Sequence, residues 1–323
     1  MPFSRFDPQA TPTARIGLGL AAVGRPGYIT LGRDRDLPGD RTPEALRERT
    51  HRLLDAAHAG GVRYIDAARS YGRAEEFLAG WLTAAPGAAD HVVGSKWGYT
   101  YTAGWRADAD VHEVKDHSAP TFDRQYAETR ALLGDRLDLY QIHSVTPDSP
   151  ALTDRAVVDR LAALAAEGVS VGLSTSGVGQ ADAIRAALGV TVDGHPLFRT
   201  VQSTFNVLEP SVAAALGEAH DAGLTVIVKE AMANGRLAPP VAPPGLRRIA
   251  EELGVGADAV ALAAVLHQPW AGLVLSGAAT PDQLAGNLAA ARVRLGEDHL
   301  AELTRLAETP ETYWDRRSRL PWR

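Results

Sequence analysis

Four side chains at or just past the ends of short β-branched or aliphatic runs carry complementary chemistry. They are Asp66 and Tyr71 in RYIDAARSYG, Lys96 in HVVGSKWGY, and His143 in LDLYQIHSV. A phenol can give a proton, an ammonium beside it can make it more acidic, a carboxylate can hold the ammonium, and an imidazole can orient a carbonyl. Taken singly, each has a plainer use. Asp66 could cap a turn, Tyr71 could pack in a core, Lys96 could be a surface charge, and His143 could be a hydrogen-bonded core histidine. All four plain uses would have to coincide at the ends of consecutive strands. In a parallel barrel those ends share the face where active sites are built, so the set reads as a site.

An architecture that gathers strand ends is legible along the whole chain. Apolar strand candidates fall at 15–21, 63–67, 91–96, 137–143, 169–174, 200–206, 224–230 and 272–277. Amphipathic helical patterns lie between them. Thr42-Pro43-Glu44 supplies a cap, a first-turn proline and an acid, and Gly60-Gly61 closes that helix. Ser118 precedes a helix with Pro120 in its first turn, and Thr280-Pro281-Asp282 repeats the opening late in the chain. Strands alternating with helices imply a parallel sheet with right-handed crossovers. Eight repeats favour closure into a (β/α)8 barrel over an open sheet. No linker rich in Gly and Ser divides the chain, so residues 1–323 read as one domain. Residues 96–118 and 238–244 read as loops after the third and seventh strands, where long loops usually carry function.

Composition removes several classes of function. A net charge of −6 and the absence of any Lys/Arg run argue against a nucleic-acid surface. No apolar stretch approaches a membrane span. The N-terminal MPFSRFDPQATPTAR lacks the apolar core of a signal peptide, which points to the cytoplasm. There is no cysteine, hence no disulfide, thiolate nucleophile or zinc–thiolate site. GLGLAAVG has Gly17 and Gly19 but no glycine three residues later, so it is not the dinucleotide fingerprint. HEVKDH sets His112 and His117 five apart rather than four, which misses the metal-binding helix face, and no metal is expected.

The ordered motifs resemble the aldo-keto reductase superfamily over nearly the whole chain. GVRYIDAARSYGRAEEFLAGWL is similar to its Asp-x-Ala-x-x-Tyr-Gly-x-x-Glu signature, GSKWG to its lysine strand and DLYQIHS to its histidine strand. GLSTSG, VQSTFN and SGAATPDQLAGNL stand in the places of its later cofactor-binding strands and loops. The resemblance implies reversible reduction of an aldehyde or ketone, with Tyr71 as general acid, Lys96 and Asp66 tuning it, and His143 orienting the carbonyl. Reduction puts a hydride on carbon and a proton on oxygen. None of these side chains can give a hydride, so a nicotinamide cofactor is required, NADPH by resemblance with NADH possible. A free phenol with a pKa of about 10 is a poor acid near neutrality. An ammonium at about 4 Å is worth roughly 4 kcal/mol at an effective dielectric of 20, enough to lower that value by one or two units.

For the cofactor, the resemblance implies Ser174 and Gln202 on the nicotinamide amide, with Thr175 where an asparagine commonly follows that serine. Gly277, Ala278, Thr280, Gln283 and Asn287 match the adenosine-phosphate loop and its helix, and Gly19 lies near the cofactor. Gly277 and Gln283 replace basic residues that many NADPH-preferring relatives use. Lys229 falls where an aromatic often stacks under the nicotinamide; its alternative is to point to water. Tyr28, Trp97, Tyr99 and Trp105, with Tyr101, would form an aromatic wall around a substrate carbonyl, or else pack their loops. Two other classes stay open: a nicotinamide-sensing regulatory protein of this fold with little turnover, and a non-redox barrel lyase or isomerase.

Overall fold

The structure is a computed structural model describing residues 6–37, 39–85 and 87–323. The first five residues, part of the stretch read for a leader, lie outside the described residues. In chain order the early strands are β1 (Ile16–Gly19), β2 (Tyr64–Asp66), β3 (Val92–Trp97), β4 (Tyr99–Tyr101), β5 (Glu113–Lys115) and β6 (Leu139–Val145). The later ones are β7 (Ser170–Thr175), β8 (Thr191–Val192), β9 (His195–Pro196), β10 (Thr200–Thr204), β11 (Thr225–Lys229) and β12 (Leu273–Ser276). Eight of them close into a barrel in the order β1-β12-β11-β10-β7-β6-β3-β2, and every pair is parallel. This is the expected (β/α)8 architecture.

Strand alternation sorts the side chains. Tyr64, Val92, Leu139, Ile227, Leu273 and Leu275 fill the barrel, with Phe6 in the same cluster. Their neighbours in sequence, Ile65, Val93, Tyr140, Val226, Val228 and Val274, face the helices and merge with the larger core. Continuing the inward set by twos reaches Asp66, Lys96, His143 and Lys229 at the strand ends. The helix caps read from sequence form as expected. Thr42 Oγ1 accepts from Ala45 N, Ser118 Oγ from Thr121 N, and Thr280 Oγ1 from Gln283 N.

Two differences from the expected elements matter. The connection at 96–118 is not a plain loop: it carries the antiparallel hairpin β4–β5, with Tyr99 opposite Lys115 and Tyr101 opposite Glu113. Three-residue strands are too short to show a period of two against their loop. The 238–244 stretch does end as a loop, with Pro244 opening the helix Pro244–Leu253.

Candidate active site

Asp66 closes β2 in register with Gly19 on β1 and Gly94 on β3. It is buried and held from three sides. Lys96 Nζ donates to its Oδ1, Gln202 Nε2 donates to its Oδ2 at 2.8 Å, and the Tyr64 hydroxyl donates to Oδ2 at 3.2 Å. Tyr64 has room to reach it because β1 and β3 carry glycine at the facing positions. A Cβ on Gly94 would lie 2.2 Å from the Tyr64 hydroxyl oxygen, and one on Gly17 2.9 Å from the ring. Lys96 also donates to the carbonyl of Ala67 at 3.0 Å, so its ammonium is anchored to β2 and the turn that follows.

That turn delivers Tyr71. Ala67 N donates to Gly94 O, Arg69 N to Lys96 O, and Arg73 N to Gly24 O, at 2.8–3.0 Å. Gly72 adopts φ +63°, a left-handed conformation that glycine enters without strain. Arg69 pairs with Glu75 and with Glu128. Glu75, buried, also accepts from Thr129 Oγ1 at 2.9 Å, which ties the signature segment to the next helix. Tyr71 lies edge-on to His143 with ring centroids 5.6 Å apart and an interplanar angle of 82°. Lys96 Nζ sits 5.1 Å from the Tyr71 ring centroid. The four residues expected to act together are therefore together.

Their electrostatics differ from the expectation in one respect. Burial pushes the Tyr71 phenol well above its usual value, Asp66 adds to that, and Arg25 pulls it back. Lys96 is committed to Asp66, so its charge does not lower the phenol as a bare ammonium would. His143 is held well below the usual imidazole range by burial and then by Lys96, Lys229 and Arg25, which makes it a neutral ring. Its backbone is set by a neighbour: His117 Nε2 donates to the His143 carbonyl at 2.8 Å. The other candidate in that motif, His112, stacks on Trp322 at 4.2 Å and 9°.

Ser174 stands at the end of β7, where its Oγ accepts from Ser144 N at 2.8 Å. Gln202 is at the same level but spends its amide N–H on Asp66. Thr175 turns outward and pairs with Ser203 in the barrel wall. Lys229 points into the mouth rather than to water: Nζ donates to Thr204 Oγ1 at 2.7 Å and lies 3.7 Å from Glu230. Burial lowers Lys229 to about 8; Glu230 opposes, and Arg317 and Lys96 add to the lowering. Against the upward pull of burial, Arg317 and Lys229 hold the Glu230 carboxyl at about 2.

After β12, Ala278 N and Asn287 Nδ2 both donate to Ser276 Oγ, at 3.3 and 2.8 Å. Gln283 Oε1 accepts from Ala279 N at 2.9 Å. The loop is braced from within, and nothing lies within 4 Å of where a Gly277 Cβ would be. A Gly19 Cβ would lie 3.6 Å from Ser276 O, so β1 and β12 meet at this end with no side chain between them.

The aromatic wall is corrected in part. Tyr99 lies 5.0 Å from His143, and Tyr28 meets Trp322 at 6.3 Å, edge to face. Trp97 does not join them. It follows inward-facing Lys96 and so faces outward, fully buried against Phe122 at 5.1 Å and His117 at 5.8 Å. Trp105 donates from Nε1 to Arg41 O at 2.8 Å and packs its ring on Phe77 at 6.4 Å; among the wall's members it meets Tyr101, through its backbone. Sequence reasoning missed Arg25, Glu113, Glu230, Arg317 and Trp322. Their contacts span connections with no periodicity, so no sequence signal marked them.

A closed parallel barrel with a phenol, an imidazole and a buried ammonium–carboxylate pair gathered at its strand ends is an α/β barrel with a candidate site on that face. The sequence profile of the Aldo/keto reductase family matches residues 15–308, and the chain belongs to that family of oxidoreductases. It is 28% identical over 344 residues to aldo-keto reductase str7 of Strobilurus tenacellus, with 96% of each chain covered. Its fold matches the holo form of aldo-keto reductase AKR11C1 from Bacillus halodurans with a TM-score of 0.70. That match has 20% identity and covers 91% of this chain and 92% of the other. An aldo-keto reductase from Klebsiella pneumoniae in complex with NADPH matches with a TM-score of 0.66 at 23% identity over 90% of each chain. Among the described residues no helix is long and apolar enough to cross a membrane.

Proposed function

We propose that the protein reduces an aldehyde or ketone to an alcohol, reversibly, with Tyr71 as proton donor and NADPH as cofactor. The observation that carries this reading is Tyr71 edge-on to a neutral His143 above the buried Lys96–Asp66 pair. The groups around the mouth fit a nicotinamide dinucleotide: Gly19, Ser174, Gln202 and Lys229 line the strand ends. Gly277, Ala278 and Thr280 stand in the loop after β12 and Gln283 and Asn287 on the helix Pro281–Leu288 that follows, whose N-terminus is a natural seat for a phosphate. The bound cofactor supplies the hydride.

The chain's own part is the proton and the carbonyl's orientation. The raised Tyr71 phenol keeps its proton across the neutral range, as an acid for reduction must. His143, neutral, has a ring N–H to donate to the carbonyl oxygen, placing it against the phenol. The Lys96–Asp66 pair packs against the Tyr71 ring and offers a nearby positive charge as the phenolate forms. Tyr28 and Tyr99 offer ring surface for a small-molecule carbonyl. No arginine or lysine lies in the 276–287 loop, so NADH is expected to be accepted alongside NADPH.

Tyr71→Phe tests the reading. It should keep the fold and NADPH binding while lowering carbonyl reduction by about a hundredfold or more, the usual loss on removing an acid. Steady-state NADPH oxidation with a panel of aldehydes is the measurement. Near-wild-type kcat in that variant would assign the proton elsewhere.

A further inference from the structure

Arg25, in the connection after β1, is 2% exposed. Its Nη1 donates to the carbonyl of Ser70 and to Glu113 Oε2, both at 2.8 Å. Its guanidinium carbon lies 5.4 Å from the centroid of the Tyr71 ring, 5.5 Å from that of Tyr28 and 4.7 Å from that of Trp322. The Tyr71 ring is thus approached by two buried cations at similar distance, Lys96 at 5.1 Å and Arg25 at 5.4 Å. Lys96 is joined to Asp66, and Arg25 to Glu113.

We propose that Arg25 is a positioning residue for Tyr71, pinning the peptide before the tyrosine through Ser70 and easing the loss of the phenol proton by its charge. The inference rests on Tyr71 as the proton donor. Two separate observations support it. The hydrogen bond to Ser70 O is one residue from Tyr71, in a turn whose next residue, Gly72, is packed on Arg25. The balance of charge around the phenol also needs a second cation. Asp66 on β2, Glu113 on the β4–β5 hairpin and Glu230 after β11 all raise its pKa, and Arg25 opposes them. Lys96 on β3 is as near the ring as Arg25 but is paired with Asp66, and Lys229 on β11 is paired with Glu230; neutral His143 of β6 adds no charge. Tyr28 is itself raised by burial and stays neutral. Arg25, 5.4 Å from the ring centroid, outweighs Glu113 at Tyr71.

An arginine that merely braces the turn and one that also tunes the phenol behave differently when either partner of the ion pair is removed. Bracing is weakened by both Arg25→Met and Glu113→Gln, so both would lower kcat and leave ionisation alone. Tuning moves ionisation in opposite directions. The experiment is the pH dependence of kcat for alcohol oxidation with NADP⁺, where the basic form of Tyr71 accepts the proton. Arg25→Met should move the limb to higher pH by about one unit or more, the size expected for a cation at this range. Glu113→Gln should move it to lower pH. Arg25→Lys, which restores a charge without the fork, should recover most of the shift but not all of the kcat.

If Arg25→Met fails to fold, Arg25→Gln, which keeps amide donors for Ser70 without the charge, takes its place and should move the limb to higher pH. A limb that stays at the wild-type position in the Arg25 variant without charge overturns the proposal, as does one that moves the same way in that variant and in Glu113→Gln. Tyr71→Phe separates the two readings. Full activity in it removes the acid assignment itself, whereas an inactive Tyr71→Phe with unmoved limbs in the others removes only the role of Arg25.

Discussion

At the scale of single residues, the inward or outward sense of a side chain decides its work. Lys96 and Trp97 are adjacent, yet one faces the mouth and the other the helix layer. Lys96→Met should cripple turnover, because it leaves Asp66 buried without its cation and removes the charge nearest the phenol on that side. Asp66→Asn should do less, and an unchanged pH–rate profile in both would refute the electrostatic account. Trp97→Ala should act on stability instead, costing about 3–5 kcal/mol as a large core truncation. Urea unfolding would show it, while the ratio of KM values for bulky and small carbonyls stays as in the wild type. Lys229 carries the opposite kind of prediction. Its ammonium points into the mouth and loses its proton at about 8. A cationic oxidised nicotinamide should therefore bind more tightly as pH rises through that value, and the neutral reduced form should not. Lys229→Tyr should abolish this pH dependence and tighten NADP⁺ more than NADPH in fluorescence titration; parallel curves for the two forms would remove Lys229 from the cofactor site.

At the scale of elements, each tool sits where it does because its strand makes room for another. Gly94→Ala tests this. The new methyl would lie 2.2 Å from the Tyr64 hydroxyl oxygen inside a closed barrel, so Tyr64 must leave Asp66 or β3 must shift. A loss of about 1–3 kcal/mol is expected from such overpacking. Adding Tyr64→Phe should recover part of it, and a double variant no better than the single would show that the strand, not the hydroxyl, is strained. The same strands explain what could be read beforehand. All eight barrel strands, three helix caps and the gathering of Asp66, Tyr71, Lys96 and His143 in one place were legible, because apolar runs, Ser or Thr caps with a first-turn proline, and polar residues at or just past strand ends are local patterns. The hairpin β4–β5 and the Arg25–Glu113 pair were not. The pair joins residues 88 apart, one in the connection after β1 and one on the three-residue strand β5, and nothing local marks either partner. The outward turn of Trp97 was available in principle: once Lys96 faces the barrel, a period of two sends its neighbour to the helices. The Gln202 amide could not be placed by family position alone, since only the closed barrel shows that Asp66 lies across from it.

At the scale of the whole molecule, closing the barrel and its helix layer buries imidazoles that must stay neutral. His91, just before β3, is fully buried beside Trp81 at 5.1 Å and His58 at 5.2 Å. Its ring's contact with the Ala88 backbone favours the charged form but is outweighed. Burial, then His58 and Arg63, lowers it to about 4. Burial likewise lowers His117 to about 4, although its bond to the His143 carbonyl pulls upward. In the unfolded chain both titrate near 6.5, so between about 6.5 and 4 the unfolded state holds more protons than the folded one. Stability then rises with pH across that window: it is intact above 6.5 and lost progressively on acidification. Each histidine adds up to about 1.4 kcal/mol per pH unit to the slope. Carboxylates contribute to the same slope, so a variant is needed to isolate the histidine. His91→Phe keeps a ring of similar shape against Trp81 and removes two buried, titratable nitrogens. It should match or exceed the wild type in urea midpoint at pH 7, exceed it clearly at pH 5, and flatten the dependence by one proton's share. Because His91 precedes β3, at the end of the barrel opposite Lys96, carbonyl reduction should be unchanged. A slope identical to the wild type's would mean that His91 takes up its proton in the folded state after all.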